Sequence, residues 1–98
     1  MRMMIDVTIP VEAGNVAIKD GRLSKTFMAV VDQLRPESSY FYPAHGKRHA
    51  LFVVDLKESS QIPGIAERLF EELNAEVRIT PVMNLEDLQK GLGQIGVK

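Results

Sequence analysis

The chain predicts an α+β domain whose elements follow the order strand, helix, strand, strand, helix, strand. Three features of the sequence say so. Residues 1–9 alternate apolar and polar with period two, the mark of a strand with one apolar face. Two later segments, from Leu23 and from Ile62, repeat apolar residues at spacings of three and four, which describes one face of a helix. Between them runs a hairpin-like stretch, Tyr40-Phe41-Tyr42-Pro43-Ala44-His45-Gly46-Lys47-Arg48-His49-Ala50-Leu51-Phe52-Val53-Val54-Asp55-Leu56.

In the first strand Met1, Met3, Ile5, Val7 and Ile9 fall on one face and Arg2, Met4, Asp6 and Thr8 on the other, and Pro10 ends it. Residues 11–20 read either as a loop or as a short helical turn, with Asn15 or Asp20 available to cap the helix after it. Leu23, Phe27, Val30, Val31 and Leu34 make the apolar face of the first helix. Pro36 stops that helix, because a proline disfavours helical geometry in the residue before it. Residues 39–42 form the second strand, and His45-Gly46 is a tight turn in which Gly46 takes positive φ. Residues 49–56 form the third strand. It is nearly all apolar, as suits a central strand buried on both faces.

Ser59 and Ser60 offer N-cap chemistry for the next helix, and Pro63 fits its first turn. Ile62, Ile65, Ala66, Leu69, Phe70 and Leu73 form its apolar stripe, and Asn74 ends it. Residues 75–82 alternate again as the fourth strand. Asn84 caps a short last helix over residues 85–92, and the glycines at 91, 93 and 96 predict a frayed tail over residues 93–98. No linker, repeat or low-complexity run divides the chain, so residues 1–98 read as a single domain.

Composition narrows the function classes. The formal net charge of -1 argues against nucleic-acid or anionic-membrane partners, which call for a basic surface. The absence of cysteine excludes disulfides, thiolate zinc sites, iron–sulfur clusters and cysteine nucleophiles. The opening residues lack the apolar core of a signal peptide, and no apolar run reaches membrane-spanning length. The expected location is the cytoplasm.

The element order matches the split βαβ, ferredoxin-like motif. The expected strand order is four, one, three, two, antiparallel except for the central pair, with both main helices on one sheet face. The odd residues of the first strand and Ala50, Phe52, Val54 and Leu56 of the third then face the helices. The other face has no cover within the chain, and its mixture of Met4, Leu51 and Val53 with charged residues suits a homodimer through the sheet face or a ligand cavity.

Turn, cap and packing positions carry a resemblance: Ile9-Pro10-Val11-Glu12-Ala13-Gly14-Asn15, Pro36-Glu37 before Tyr40-Phe41, Gly46-Lys47-Arg48, Ser60-Gln61-Ile62-Pro63, Leu73-Asn74-Ala75, and Pro81-Val82-Met83 before Asp87-Leu88. On these the chain resembles the dimeric α+β barrel superfamily, and within it a subgroup of small bacterial domains of unknown function. The resemblance implies two ferredoxin-like protomers packed sheet to sheet. The wider group includes muconolactone isomerases, cofactor-independent quinone-forming monooxygenases, haem-degrading enzymes and stress-responsive proteins. None of their catalytic motifs is matched here, so no active-site residue is carried over.

Candidate chemistry gathers on the open face. Asp6, Asp55 and Arg78 could meet there as two carboxylates and a guanidinium, to polarise a ligand or hold one carboxyl protonated. The plainer reading, a cross-strand ion pair at an interface, outweighs it. His49 is a candidate general base, since imidazole titrates near neutral pH, whereas His45 belongs to the turn. The two histidines nominate no third ligand, so neither a metal nor any other cofactor is expected. Tyr40 and Tyr42 could line a ligand pocket, though such residues more often stabilise cross-strand packing. Gly46-Lys47-Arg48 invites a phosphate or RNA reading, but the third strand presents His49, Leu51 and Val53 where RNA-binding domains of this shape present aromatic rings. The expectation is a small protein that binds an apolar or aromatic ligand, in a cavity between sheet and helices or at the dimer centre. The alternative is a cofactor-independent isomerase or monooxygenase acting on a small aromatic or lactone-like compound.

Overall fold

The computed structural model describes residues 1–96. In chain order the elements are β1 (Arg2–Ile9), α1 (Val11–Lys19), α2 (Arg22–Leu34), β2 (Ser38–Ala44), β3 (Lys47–Asp55), a 3₁₀ turn (Ser59–Gln61), α3 (Ile62–Leu73), β4 (Glu76–Pro81) and α4 (Leu85–Gln94). The four strands form one sheet in the order β2-β3-β1-β4, the expected order read from the other side.

Every neighbouring pair is antiparallel, including the central β1–β3 pair, which overturns the expected parallel centre. The reason is the path of the chain. The helical crossover returns β2 parallel to β1 but one strand away. The hairpin then reverses the chain into the gap, so β3 runs against both neighbours.

Alternation decides which face is buried. Met3, Ile5, Val7 and Ile9 of β1 join Ala50, Phe52 and Val54 of β3 beneath Val30 of α2 and Ile65, Leu69 and Leu73 of α3. Ile5 lies directly opposite Phe52 at the centre of this layer. Phe27, Phe41 and Phe52 form an aromatic cluster with ring centroids 5.3 to 6.0 Å apart. The expectation that β3 is buried on both faces does not hold: Leu51 and Val53 on the other face are only half-buried.

Residues 11–20, readable as loop or as helical turn, form α1. Its contact with the sheet is made by small residues, Gly14 and Ala17. A Cβ on Gly14 would lie 2.6 Å from Arg48 Nη1, so glycine is what lets the guanidinium cross this helix. Arg48 Nη2 donates to Asn15 Oδ1 at 3.0 Å, so the basic residue of the Gly46-Lys47-Arg48 run secures α1 to the sheet. Asn15 lies inside α1 and caps nothing, whereas the Asp20 carboxylate accepts from Arg22 N–H at 2.9 Å at the start of α2. Arg35, in left-handed geometry, ends α2 before Pro36. Ser59 and Ser60 do not cap α3. The Gln61 side-chain oxygen instead accepts from the N–H groups of Lys57 and Glu58, and Asn74 ends α3 in left-handed geometry.

Asn84 caps α4 as expected, with Asp87 N–H donating to its side chain at 2.8 Å. The helix runs to Gln94, two residues past its expected end at 92, and residues 97–98 of the expected frayed tail lie outside the described ones. No described helix is long and apolar enough to cross a membrane.

Phe52 is fully buried, so Phe52→Ala should lower unfolding free energy by about 3–5 kcal/mol in urea denaturation. A loss under about 1 kcal/mol would contradict its place at the centre of the core.

Candidate functional site

The helix-free face of the sheet gathers a polar cluster through register alone. Asp6 on β1 lies opposite Arg78 on β4 and Leu51 on β3, while Thr8 lies opposite His49 and Glu76. The side chains of Asp6, Thr8, Arg78 and His49 therefore project from the same side of the pleat.

Thr8 links two of these groups. Arg78 Nη2 donates to Thr8 Oγ1 at 2.7 Å, and Thr8 Oγ1 lies 3.2 Å from His49 Nδ1. On the far side of the ring, His49 Nε2 lies 2.9 Å from the carbonyl oxygen of Ala44. A carbonyl only accepts, so Nε2 carries a proton. In the neutral ring Nδ1 is then the acceptor for the Thr8 hydroxyl. The donors run in one direction, from Arg78 through Thr8 and His49 to Ala44. Each bond in such a chain polarises the next.

The surroundings of the four groups differ. The His49 side chain is 8% exposed, and the Tyr42 ring stacks on it with centroids 5.1 Å apart and 17° between planes. The Arg78 side chain is 49% exposed and keeps further N–H groups for solvent or a ligand. Asp6 Oδ1 lies 3.5 Å from Arg78 Nη2 and 3.8 Å from His49 Nδ1, yet it is buried without a hydrogen-bond partner among the described residues. A buried carboxylate oxygen without a donor is costly, and the nearby guanidinium offsets part of that.

The other candidates lie apart. Tyr40, opposite Leu51, is exposed beside the cluster. Asp55 shares the open face by parity but stands opposite Arg2, at the far end of β3 from His49. It binds the Met1 amine at 3.0 Å and Lys57 Nζ at 3.1 Å, and these two cations, the amine first, hold its carboxyl below the usual range. The expected meeting of Asp6, Asp55 and Arg78 is thus corrected to Asp6 and Arg78, with Thr8 and His49 in place of Asp55. His45 sits in the turn at positive φ, its ring centroid 6.4 Å from that of His49.

No family model, no curated protein and no solved structure matches this chain. What stands is an α+β fold with a four-stranded antiparallel sheet. Among the described residues no group of three His, Cys, Asp or Glu side chains is placed to hold a metal ion.

Sequence reasoning missed two further features. Thr8 stood among the open-face residues without a role, and its function as a bridge follows from the Thr8–His49 register. The second feature is a cleft of about 710 Å³ at the other end of the sheet, lined by Met1, Arg2, Glu37, Asp55, Pro81 and Met83 among others. Its polar anchor is Arg2, which bonds Glu37 at 2.6 Å and Asp87 of α4 at 3.2 Å. Charges paired across elements far apart in the chain leave no local pattern to read.

The hydrogen-bond chain makes two measurable statements. Nitrogen-15 NMR of neutral His49 should show Nε2 protonated and Nδ1 bare, and the opposite tautomer would contradict the chain. Thr8→Val should cost about 1–3 kcal/mol, because it leaves His49 Nδ1 without its donor, whereas Thr8→Ser should keep most of the stability.

Proposed function

We propose that this protein is a ferredoxin-like homodimer of the dimeric α+β barrel type that binds a small apolar or aromatic ligand on the open face of its sheet. One observation carries the reading: the open face joins half-buried apolar side chains to a desolvated hydrogen-bond chain that ends in a guanidinium with donors to spare. Met4, Leu51 and Val53 offer the apolar floor, the rings of Tyr40 and Tyr42 a wall, and Arg78 the polar end. That combination suits an aromatic compound bearing an oxygen substituent, which Arg78 would meet through N–H groups not engaged by Thr8. A second copy packed on the same face would close the site from water.

Binding is favoured over catalysis by the state of His49. A general base needs a free nitrogen within reach of the proton it takes. Here one nitrogen serves the Ala44 carbonyl and the other faces the Thr8 hydroxyl. Asp6 turns its Oδ1 inward, although its side chain as a whole is 26% exposed. For His49 to act as the base of an isomerase or monooxygenase, it would first have to leave one of these two bonds.

Two measurements test the proposal. Sedimentation at micromolar concentration should give a dimer or a larger even assembly, and Leu51→Lys should halve its mass by placing a charge in the face-to-face contact. Screening small aromatic acids by NMR should shift the resonances of Arg78, Tyr42 and His49, and Arg78→Ala should weaken the best binder by about tenfold or more, the equivalent of one charge-assisted hydrogen bond. A strict monomer whose open-face resonances respond to no member of such a screen would contradict the reading.

A further inference from the structure

The two edges of the sheet differ in how they meet solvent. β4 carries Glu76 and Arg78, and charges along an edge strand oppose pairing with another chain. β2 reads Ser38-Ser39-Tyr40-Phe41-Tyr42-Pro43-Ala44 and has no charged residue.

The direction of its backbone groups follows from the hairpin. His45 and Gly46, at φ of 54° and 74°, form a two-residue turn with both residues left-handed. Such a turn makes Ala44 and Lys47 a hydrogen-bonded pair. Bonded pairs alternate along an antiparallel ladder. Tyr42, Tyr40 and Ser38 therefore bond to β3, while Pro43, Phe41 and Ser39 turn their backbone groups outward. A bulge at the start of the strand agrees with this parity, since Glu37 N–H reaches Val53 O at 2.8 Å beside the Ser38–Val53 pair. Pro43, which has no N–H, falls on the outward side, where an edge strand tolerates proline.

Apolar surface continues from this edge onto α2. Phe41 lies on the helix side of the sheet yet is 56% exposed, and Met28 is 65% exposed. With Phe27, Val31 and Asp32 they line a groove of about 250 Å³.

We propose that β2 is a pairing edge and that its occupant is the β2 of a second copy, run antiparallel about a two-fold axis at Phe41. A two-fold contact requires a surface complementary to itself, and this one is. With Phe41 facing Phe41 of the second copy, each N–H reaches the other carbonyl. Ser39 then faces Pro43 of the second copy and donates to its carbonyl, which gives about four backbone hydrogen bonds across the axis. The missing proline N–H leaves no donor stranded. The same axis meets α2 near Met28, which shares the groove with Phe41. Residues one turn before and one turn after Met28 then come together, so the Ser24 hydroxyl meets the Asp32 carboxylate of the second copy. Phe41, Tyr40 and Met28 each bring on the order of 100 Å² of exposed side chain. With Val31, Pro43 and the strand backbone, each copy still buries less than the roughly 800 Å² of a standard interface, so the contact forms at high protein concentration and parts on dilution. The edge contact touches the open face only at its rim, through Tyr40 and Tyr42, and leaves Met4, Leu51, Val53 and Arg78 uncovered.

The chain has no cysteine, so single substitutions read the register. Phe41→Cys would place two thiols across the axis on Cα atoms about 5.5 Å apart, within disulfide reach. Tyr40, at 60% exposure, is equally accessible, but it faces Tyr42 of the second copy rather than itself. Under mild oxidation at micromolar concentration, Phe41→Cys should form linked dimer about tenfold faster than Tyr40→Cys, and equal rates would overturn the pairing. The unaltered protein gives a second reading. The amides of Ser39 and Phe41 lack a ladder partner within one chain, so they should exchange about tenfold more slowly at high protein concentration than after dilution. Exchange that ignores concentration would overturn the proposal. So would an assembly that keeps its mass in Phe41→Lys and loses all association in Leu51→Lys, because the sheet face alone would then join the copies.

Discussion

The structure depends on one constraint: the helices cover only one face of a four-stranded sheet. Period two in β1 supplies Met3, Ile5, Val7 and Ile9 to that face, and the β1–β3 register sets Phe52 against Ile5 beneath α2 and α3. A shift of one residue in β3 would send Phe52 to water and His49 into the core, and the same shift in β1 would send Ile5 to water, so the register is fixed by burial. The same constraint creates the polar cluster. Once the odd residues of β1 are committed to the core, Asp6 and Thr8 must face outward. The antiparallel register then aligns them with Arg78 and His49.

The outward face is consequently neither a second core nor an ordinary wet surface. Leu51 and Val53 remain half-buried by their neighbours, His49 is sealed under Tyr42, and Asp6 keeps a carboxylate oxygen out of water. A fully hydrated face would not hold an imidazole between a hydroxyl and a carbonyl with its tautomer set by both. The mixture fits a surface that is completed by something laid on it.

Much of this is legible in the sequence, for reasons that show where reading fails. Alternation in residues 1–9 marks the buried face of β1, and Phe52 follows once the hairpin is placed. The shared face of Asp6 and Arg78 comes from parity alone. Parity is not proximity, however: Asp55 has the same parity as Leu51 but lies further along the strand, opposite Arg2. The role of Thr8 is hidden because it depends on which β3 residue stands across from it, a matter of register. Helix α1 is hidden because its sheet contact is made by Gly14 and Ala17 while Val11, Val16 and Ile18 stay exposed, so the usual apolar stripe is missing. The direction of the central pair emerges only when the chain is traced through its crossover and hairpin, and the parallel expectation omitted that step.

The central claim is that the open face is covered in the working protein. Methionine oxidation reads this most directly, because Met4 sits in that face, half-buried in a single chain, while Met83 is exposed beyond the sheet. Hydroxyl-radical labelling over a range of protein concentrations should show Met4 becoming protected as concentration rises while Met83 oxidises at a constant rate. If Met4 and Met83 keep a fixed ratio of rates from nanomolar to high micromolar protein, the face is bare and the account is wrong.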